Sequence, residues 1–220
     1  MGFMNWLNNE EKYIFCLEKI QDGSVTLKDI PKKFRRRQLC LEAVKKNGMG
    51  LKDVPKNLRD YEICAAAVEH CVDAIQFVPK DIIDKKMAIS VFKRSHSSFK
   101  YFPSDIINED FLLDLVAIDP VVLVMMPEVY KQDYFYYRAV ERHPKALDSI
   151  PEQHQTLDIC YAAVSYYGKA LAYVPTKFRT FRICKEAVSN NEEAIQFVPD
   201  YITRSAEWEE EFQDAENQNI

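Results

Sequence analysis

Glycine is scarce in this chain, five in 220 residues, and tryptophan occurs only twice. So few glycines leave little material for loops that cradle phosphate with bare backbone, and no glycine-rich nucleotide motif is present. Long apolar runs are missing as well: the longest, Val121 to Pro127, has seven residues, against the roughly 18 needed to cross a bilayer. The amino terminus, Met1-Gly2-Phe3-Met4-Asn5-Trp6, has neither a basic nor a long apolar segment, so no secretory signal is expected. The six cysteines include no Cys-x-x-Cys pair, which argues against a zinc site. His70, His96, His143 and His154 form no His-Glu-x-x-His, and no nucleophile elbow occurs. No catalytic residue, metal, cofactor or membrane association is therefore expected. The expected location is cytoplasmic, in the protein's own cell or in a host's.

What is abundant is periodic. Pro31, Pro55, Pro79, Pro103, Pro127, Pro151, Pro175 and Pro199 stand 24 residues apart, eight of the ten prolines. A repeat of this kind is the first thing that decides a fold. Aligned on the prolines, Leu39, Ile63, Met87, Phe111, Phe135, Ile159 and Ile183 share one column. The next holds Cys40, Cys64, Ala88, Leu112, Tyr136, Cys160 and Cys184, with Cys16 one unit earlier. Small residues such as Ala43, Ala67 and Ala163 follow three positions on, and Val44, Val68 and Val164 one beyond. Such spacing is one face of an α-helix. Asp60, Asp84, Asn108, Thr156 and Thr180 recur where a helix N-cap is wanted. Gly48, Pro120, Pro144 and Gly168 share the position where the helix should end. Leu51 with Val54, and Leu171 with Val174, mark a short helical or 3₁₀ turn before the next proline.

The expected fold is all-α: a solenoid of about eight 24-residue repeats, each a helix of about 11 residues plus a short helical or 3₁₀ turn. Residues 7–205 form this domain, behind an N-terminal cap segment at 1–6 and ahead of an acidic, disordered tail at 206–220. The first copy, Leu7 to Ile30, is degenerate, with Phe15, Cys16 and Ile20 in core columns. The cysteines of the shared column read as small buried hydrophobes.

Units such as Ile159-Cys160-Tyr161-Ala162-Ala163-Val164, running on to Gly168 and Pro175, resemble a family of bacterial and viral repeats catalogued as a domain of unknown function, family 4116. The likeness is clearest at 39–79 and 157–199, and the middle copies at 79–150 depart from it. Leucine-rich variant repeats are similar in unit length, a weaker likeness. Both imply a helical solenoid, and neither brings a catalytic residue set.

Two surface anomalies bear on function. Between Lys28 and Arg59, eleven basic residues face three acidic ones, while from Glu186 onward ten acidic residues face Arg204 alone. Lys32, Lys33, Arg35, Arg36, Arg37 and Arg59 are the candidates for an anionic or acidic partner. The second anomaly is apolar. Ile118, Val121 and Val124 stand where other copies carry Lys46, Met49 and Lys52, and Tyr130, Tyr134, Tyr136 and Tyr137 follow. These residues form either a binding surface or a stretch buried internally, for instance by Phe3, Met4 and Trp6. The expected function is a non-enzymatic protein-binding module, an effector or inhibitor, whose partner-binding residues are Ile118, Val121, Val124, Tyr130, Tyr134 and Tyr137. The alternative is nucleic-acid binding through the basic repeats. Head-to-tail pairing of basic and acidic ends would make a homo-oligomer.

Overall fold

In the computed structural model of the protein, residues 8–217 are described, and every regular element among them is helical. One unit, residues 1–107, carries α1 (Asn9–Gln21), α2 (Arg37–Lys46), α3 (Tyr61–His70) and α4 (Lys85–Phe92). The other, residues 108–220, carries α5 (Glu109–Val116), α6 (Val122–Met125), α7 (Asp133–Arg142), α8 (Leu157–Tyr166), α9 (Phe181–Asn190), α10 (Asp200–Thr203) and α11 (Ala206–Asn217). The expected cap segment at 1–6 lies outside the described residues.

The helices begin where short oxygen-bearing side chains satisfy free N–H groups. Asp60, Asp84 and Asn108 accept from the N–H groups of Ile63, Met87 and Phe111 at 3.0, 2.7 and 3.0 Å. Thr156 and Thr180 do the same for Ile159 and Ile183. α2 and α7 start at Arg36 and Gln132 without a side-chain cap. The repeat helices have 10 residues, or 8 in α4 and α5, slightly shorter than expected. The ten-residue helices end one residue before the glycine or proline position, with Asn47, Cys71, His143, Tyr167 and Asn191 as C-caps in extended conformation, whereas α4 and α5 end earlier, at Lys93 and Ala117.

The linker holds two 3₁₀ segments where one turn was expected. A six-residue stretch, such as Gly48–Asp53 or Gly168–Tyr173, leads to the proline. A three-residue turn then follows it, as in Lys56–Leu58 and Thr176–Phe178. The proline carbonyl closes that turn, accepting from Leu58 N–H and Phe178 N–H at 2.9 Å. Proline suits this place because its fixed φ fits and its missing N–H is not needed.

The helix columns form the core. Leu39, Cys40, Ile63, Cys64, Phe111, Leu112, Tyr136, Cys160 and Cys184 are fully buried, and each large side chain so buried contributes about 1.5–3 kcal/mol. In the first copy Cys16 and Ile20 are buried, but Phe15 is 39% exposed. That corrects the expectation for Phe15, whose side of α1 is covered by no preceding repeat among the described residues.

Two further contacts join consecutive repeats. The Arg35 guanidinium donates to the carbonyls of Ile30 and Lys28 in its own linker and to Asp53 in the next. Arg59 repeats this with Val54, Lys52 and Phe77, and Arg179 with Val174, Ala172 and Phe197. Gly48 and Gly168 meet the following helix so closely that an added Cβ would collide with the carbonyl oxygens of Ala67 and Ala187. Their N–H groups donate to His70 Nδ1 at 3.2 Å and to Asn190 Oδ1 at 2.7 Å. The acidic tail also departs from expectation, since α11 is helical over Ala206–Asn217. Trp208, 6% exposed, holds it by stacking edge-on against Phe181 at 5.9 Å and lying 4.5 Å from Phe212.

Candidate functional site

The apolar residues singled out from the sequence lie on two kinds of element. Between α5 and α7 the usual six-residue 3₁₀ stretch gives way to the α-helical turn of α6. Asp119 accepts from Val121 N–H at 2.8 Å, and the Pro120 carbonyl accepts from Leu123 N–H at 2.9 Å. This turn sends Val122 and Leu123 into the core and leaves Val124 64% exposed. Ile118 and Val121 are half-buried beside it.

Tyr134 and Tyr137 sit three residues apart on the first turns of α7, hence on one side of it, 65% and 39% exposed. Tyr130 is half-buried, its ring 6.4 Å from that of Phe135. Tyr136 does not belong to the surface group: it fills the cysteine column, and burial raises its phenol above the usual range. Val129, 68% exposed in the turn after Pro127, was missed by the sequence reading. Its position holds Lys33, Asn57 and Lys177 elsewhere, so column comparison could have found it.

The basic group is largely engaged within the protein. Arg35 and Arg59 were expected to face an anionic partner, yet each guanidinium is half-buried and holds three backbone carbonyls. Arg36 makes a two-pronged contact with Glu10, at 2.9 and 2.8 Å, and lies over the Tyr13 ring. Glu10 is held below the usual carboxylate range chiefly by that hydrogen bond. Arg37 pairs with Asp60 at 2.7 Å and with Glu62 at 2.5 Å. Lys32 and Lys33 are exposed, Lys33 over the Phe34 ring. A charge count along the sequence therefore overstates the cationic surface of this segment.

The cysteines are free, and five of the six are buried. Burial pushes the thiols of Cys40, Cys64, Cys160 and Cys184 up to about 11, which suppresses the thiolate form needed for nucleophilic or metal chemistry. Cys71 is half-buried, and the neighbouring His70 is occupied by the Gly48 N–H. Among the described residues no group of three or more His, Cys, Asp and Glu side chains could hold a metal ion. No described helix is long and apolar enough to cross a membrane.

No curated protein and no solved structure matches the chain. Residues 36–83 and 156–203 each match the model of a family described as Domain of unknown function (DUF4116). Each match spans two of the 24-residue periods, and the starts of the two are five periods apart. The chain thus carries two segments that match the DUF4116 family model, built on the same repeat that the prolines mark.

Proposed function

We propose that this protein is a non-enzymatic protein-binding module, an α-solenoid of about eight 24-residue repeats that docks on a target protein. The exposure of Val124 (64%), Val129 (68%) and Tyr134 (65%) within one unit carries this reading. Apolar and aromatic side chains set out on a rigid helical frame are the usual means of protein recognition. The solenoid is supported by arginine and glycine contacts that recur between one repeat and the next, since each repeat then depends on its neighbour. An effector or inhibitor acts in this way by occupying its target. The free thiols suit a reducing compartment, so the site of action is a cytoplasm, the protein's own or a host's.

Nucleic-acid binding has less support, because the guanidiniums of Arg35, Arg36, Arg37 and Arg59 already hold carbonyls or carboxylates. Binding a nucleic-acid backbone needs free cations that neutralise its phosphates and so release the counterions condensed on it.

Affinity capture from cell extract with the wild type, Val124→Asp and Tyr134→Asp in parallel tests the reading. A protein recovered by the wild type and depleted at least about tenfold by either substitution, an effect near 1.4 kcal/mol, supports it. Equal recovery by all three overturns it.

A further inference from the structure

We propose that the first repeats hold a docking pocket for an acidic peptide segment bearing an apolar side chain. It is a cavity of about 330 Å³ between the end of α1, the Leu27–Asp29 turn and the Gly48–Asp53 stretch. The inference rests on the protein-binding reading and names the chemistry of one partner segment.

The floor is apolar. Ile20 and Leu27, each 2% exposed, and Ala43, 5% exposed, reach the cavity from three elements. The rim is cationic: Lys28, Lys46 and Lys52 line it and are exposed. Among the described residues no salt bridge holds any of the three, in contrast to Arg36 and Arg37. Asp53 is the acidic side chain on the lining, so the lysines stay in excess. Nearby Asp29 is turned to Thr26, accepting from its N–H at 3.0 Å and its hydroxyl at 2.7 Å. A concave apolar floor rimmed by exposed ammonium groups is complementary to a leucine-like side chain flanked by carboxylates.

Repeat register strengthens the case for a peptide. Lys46, Met49 and Lys52 occupy the positions that Ile118, Val121 and Val124 occupy in the apolar unit, and Lys28 stands one period before Lys52. Two of these positions are thus cationic at Lys46 and Lys52 and apolar at Ile118 and Val124. Variation at shared positions outside the core lets a repeat protein distribute different contacts over one frame. A nucleic-acid strand would instead call for a row of cations and stacking platforms, and this floor is aliphatic.

The test is a titration of the ¹⁵N-labelled full chain with a blocked synthetic peptide, Glu-Glu-Leu-Glu-Glu, followed by amide chemical shifts. Shifts concentrated at residues 20–28 and 43–53 are expected. Lys46→Glu and Lys52→Glu should each weaken binding about tenfold, as loss and reversal of one contact charge near 1.4 kcal/mol would. Gly50→Trp should abolish it, because a side chain at Gly50 meets nothing within 4 Å and would project into open space at the cavity. The lysine variants lie on the surface and keep the test valid if the tryptophan variant fails to fold. Binding that is indifferent to replacing the peptide's leucine by serine, tighter binding of a short oligothymidylate at the same amides, or no shift at these amides overturns the proposal. Val124→Asp should leave this titration unchanged. A silent pocket together with captured protein that depends on Val124 would reject the pocket and leave the docking reading standing.

Discussion

Arg59 donates from Nη1 to the carbonyl oxygen of Phe77, eighteen residues ahead, at 2.8 Å. Its Nε and Nη2 hold Val54 and Lys52 in its own linker, so one planar side chain fixes two successive repeats together. Replacement by alanine leaves the part-buried carbonyls of Val54 and Phe77 and the exposed one of Lys52 without this donor, a loss of about 2–4 kcal/mol. Urea unfolding should show it. Lysine should recover less than half, since a single ammonium cannot reproduce the fork.

The same position reads Gln155 one unit before Arg179. Gln155 Nε2 reaches Leu147 and Ile150 at 3.0 and 2.8 Å, both in its own linker, and its buried Oε1 has no partner among the described residues. Gln155→Arg should therefore add a bond into the following linker and raise stability by about 1 kcal/mol, or about 2–4 °C in Tm. A lowered Tm would contradict this account of the arginine column.

Gly48 and Gly50 lie two residues apart in one 3₁₀ stretch and should respond oppositely to alanine. At Gly48 the new Cβ collides with the Ala67 backbone, and a loss of about 2–4 kcal/mol is expected. At Gly50 nothing lies within 4 Å, so alanine should be neutral or stabilising by up to about 1 kcal/mol. Thermal melts of the two variants decide the matter.

The buried thiols make stability depend on alkaline pH. Cys40, Cys64, Cys160 and Cys184 ionise near 9.0 when unfolded and near 11 in the folded protein. Between those values the folded chain binds more protons than the unfolded one, so stability is full below about 9 and falls as pH rises towards 11. Urea midpoints across this range should decline more steeply for the wild type than for a variant with all four changed to alanine, the residue that Ala88 already places in this column. In the native protein at pH 8, Cys71 should be the thiol that reacts readily with maleimide.

Much of the fold is legible in the sequence because the repeat multiplies weak signals. One Asp before an apolar run says little, whereas Asp60, Asp84, Asn108, Thr156 and Thr180 at one position fix the helix starts. The three-residue turns after the prolines escape notice because a segment so short has no periodicity. Arg35 and Arg59 are misread for a different reason: sequence gives a guanidinium its charge but not its direction, and these two fold onto carbonyls rather than into water. Gly48 reads as a helix terminator, although what it provides is room for the Ala67 carbonyl of the next repeat. The acidic stretch reads as solvated, yet Trp208 against Phe181 anchors it as a helix. On the surface, the exposure of Val124 follows from its departure from Lys52 in register, and Tyr136 is misplaced when its cysteine column is ignored.

Photo-crosslinking from single positions tests the docking account most directly. A full-length chain carrying a photoreactive residue at Val124, and another carrying it at the exposed Glu62 of α3, would be irradiated in cell extract. The account predicts one discrete protein adduct from position 124 and none from position 62. Adducts of equal yield from both positions, or none from position 124, would contradict it.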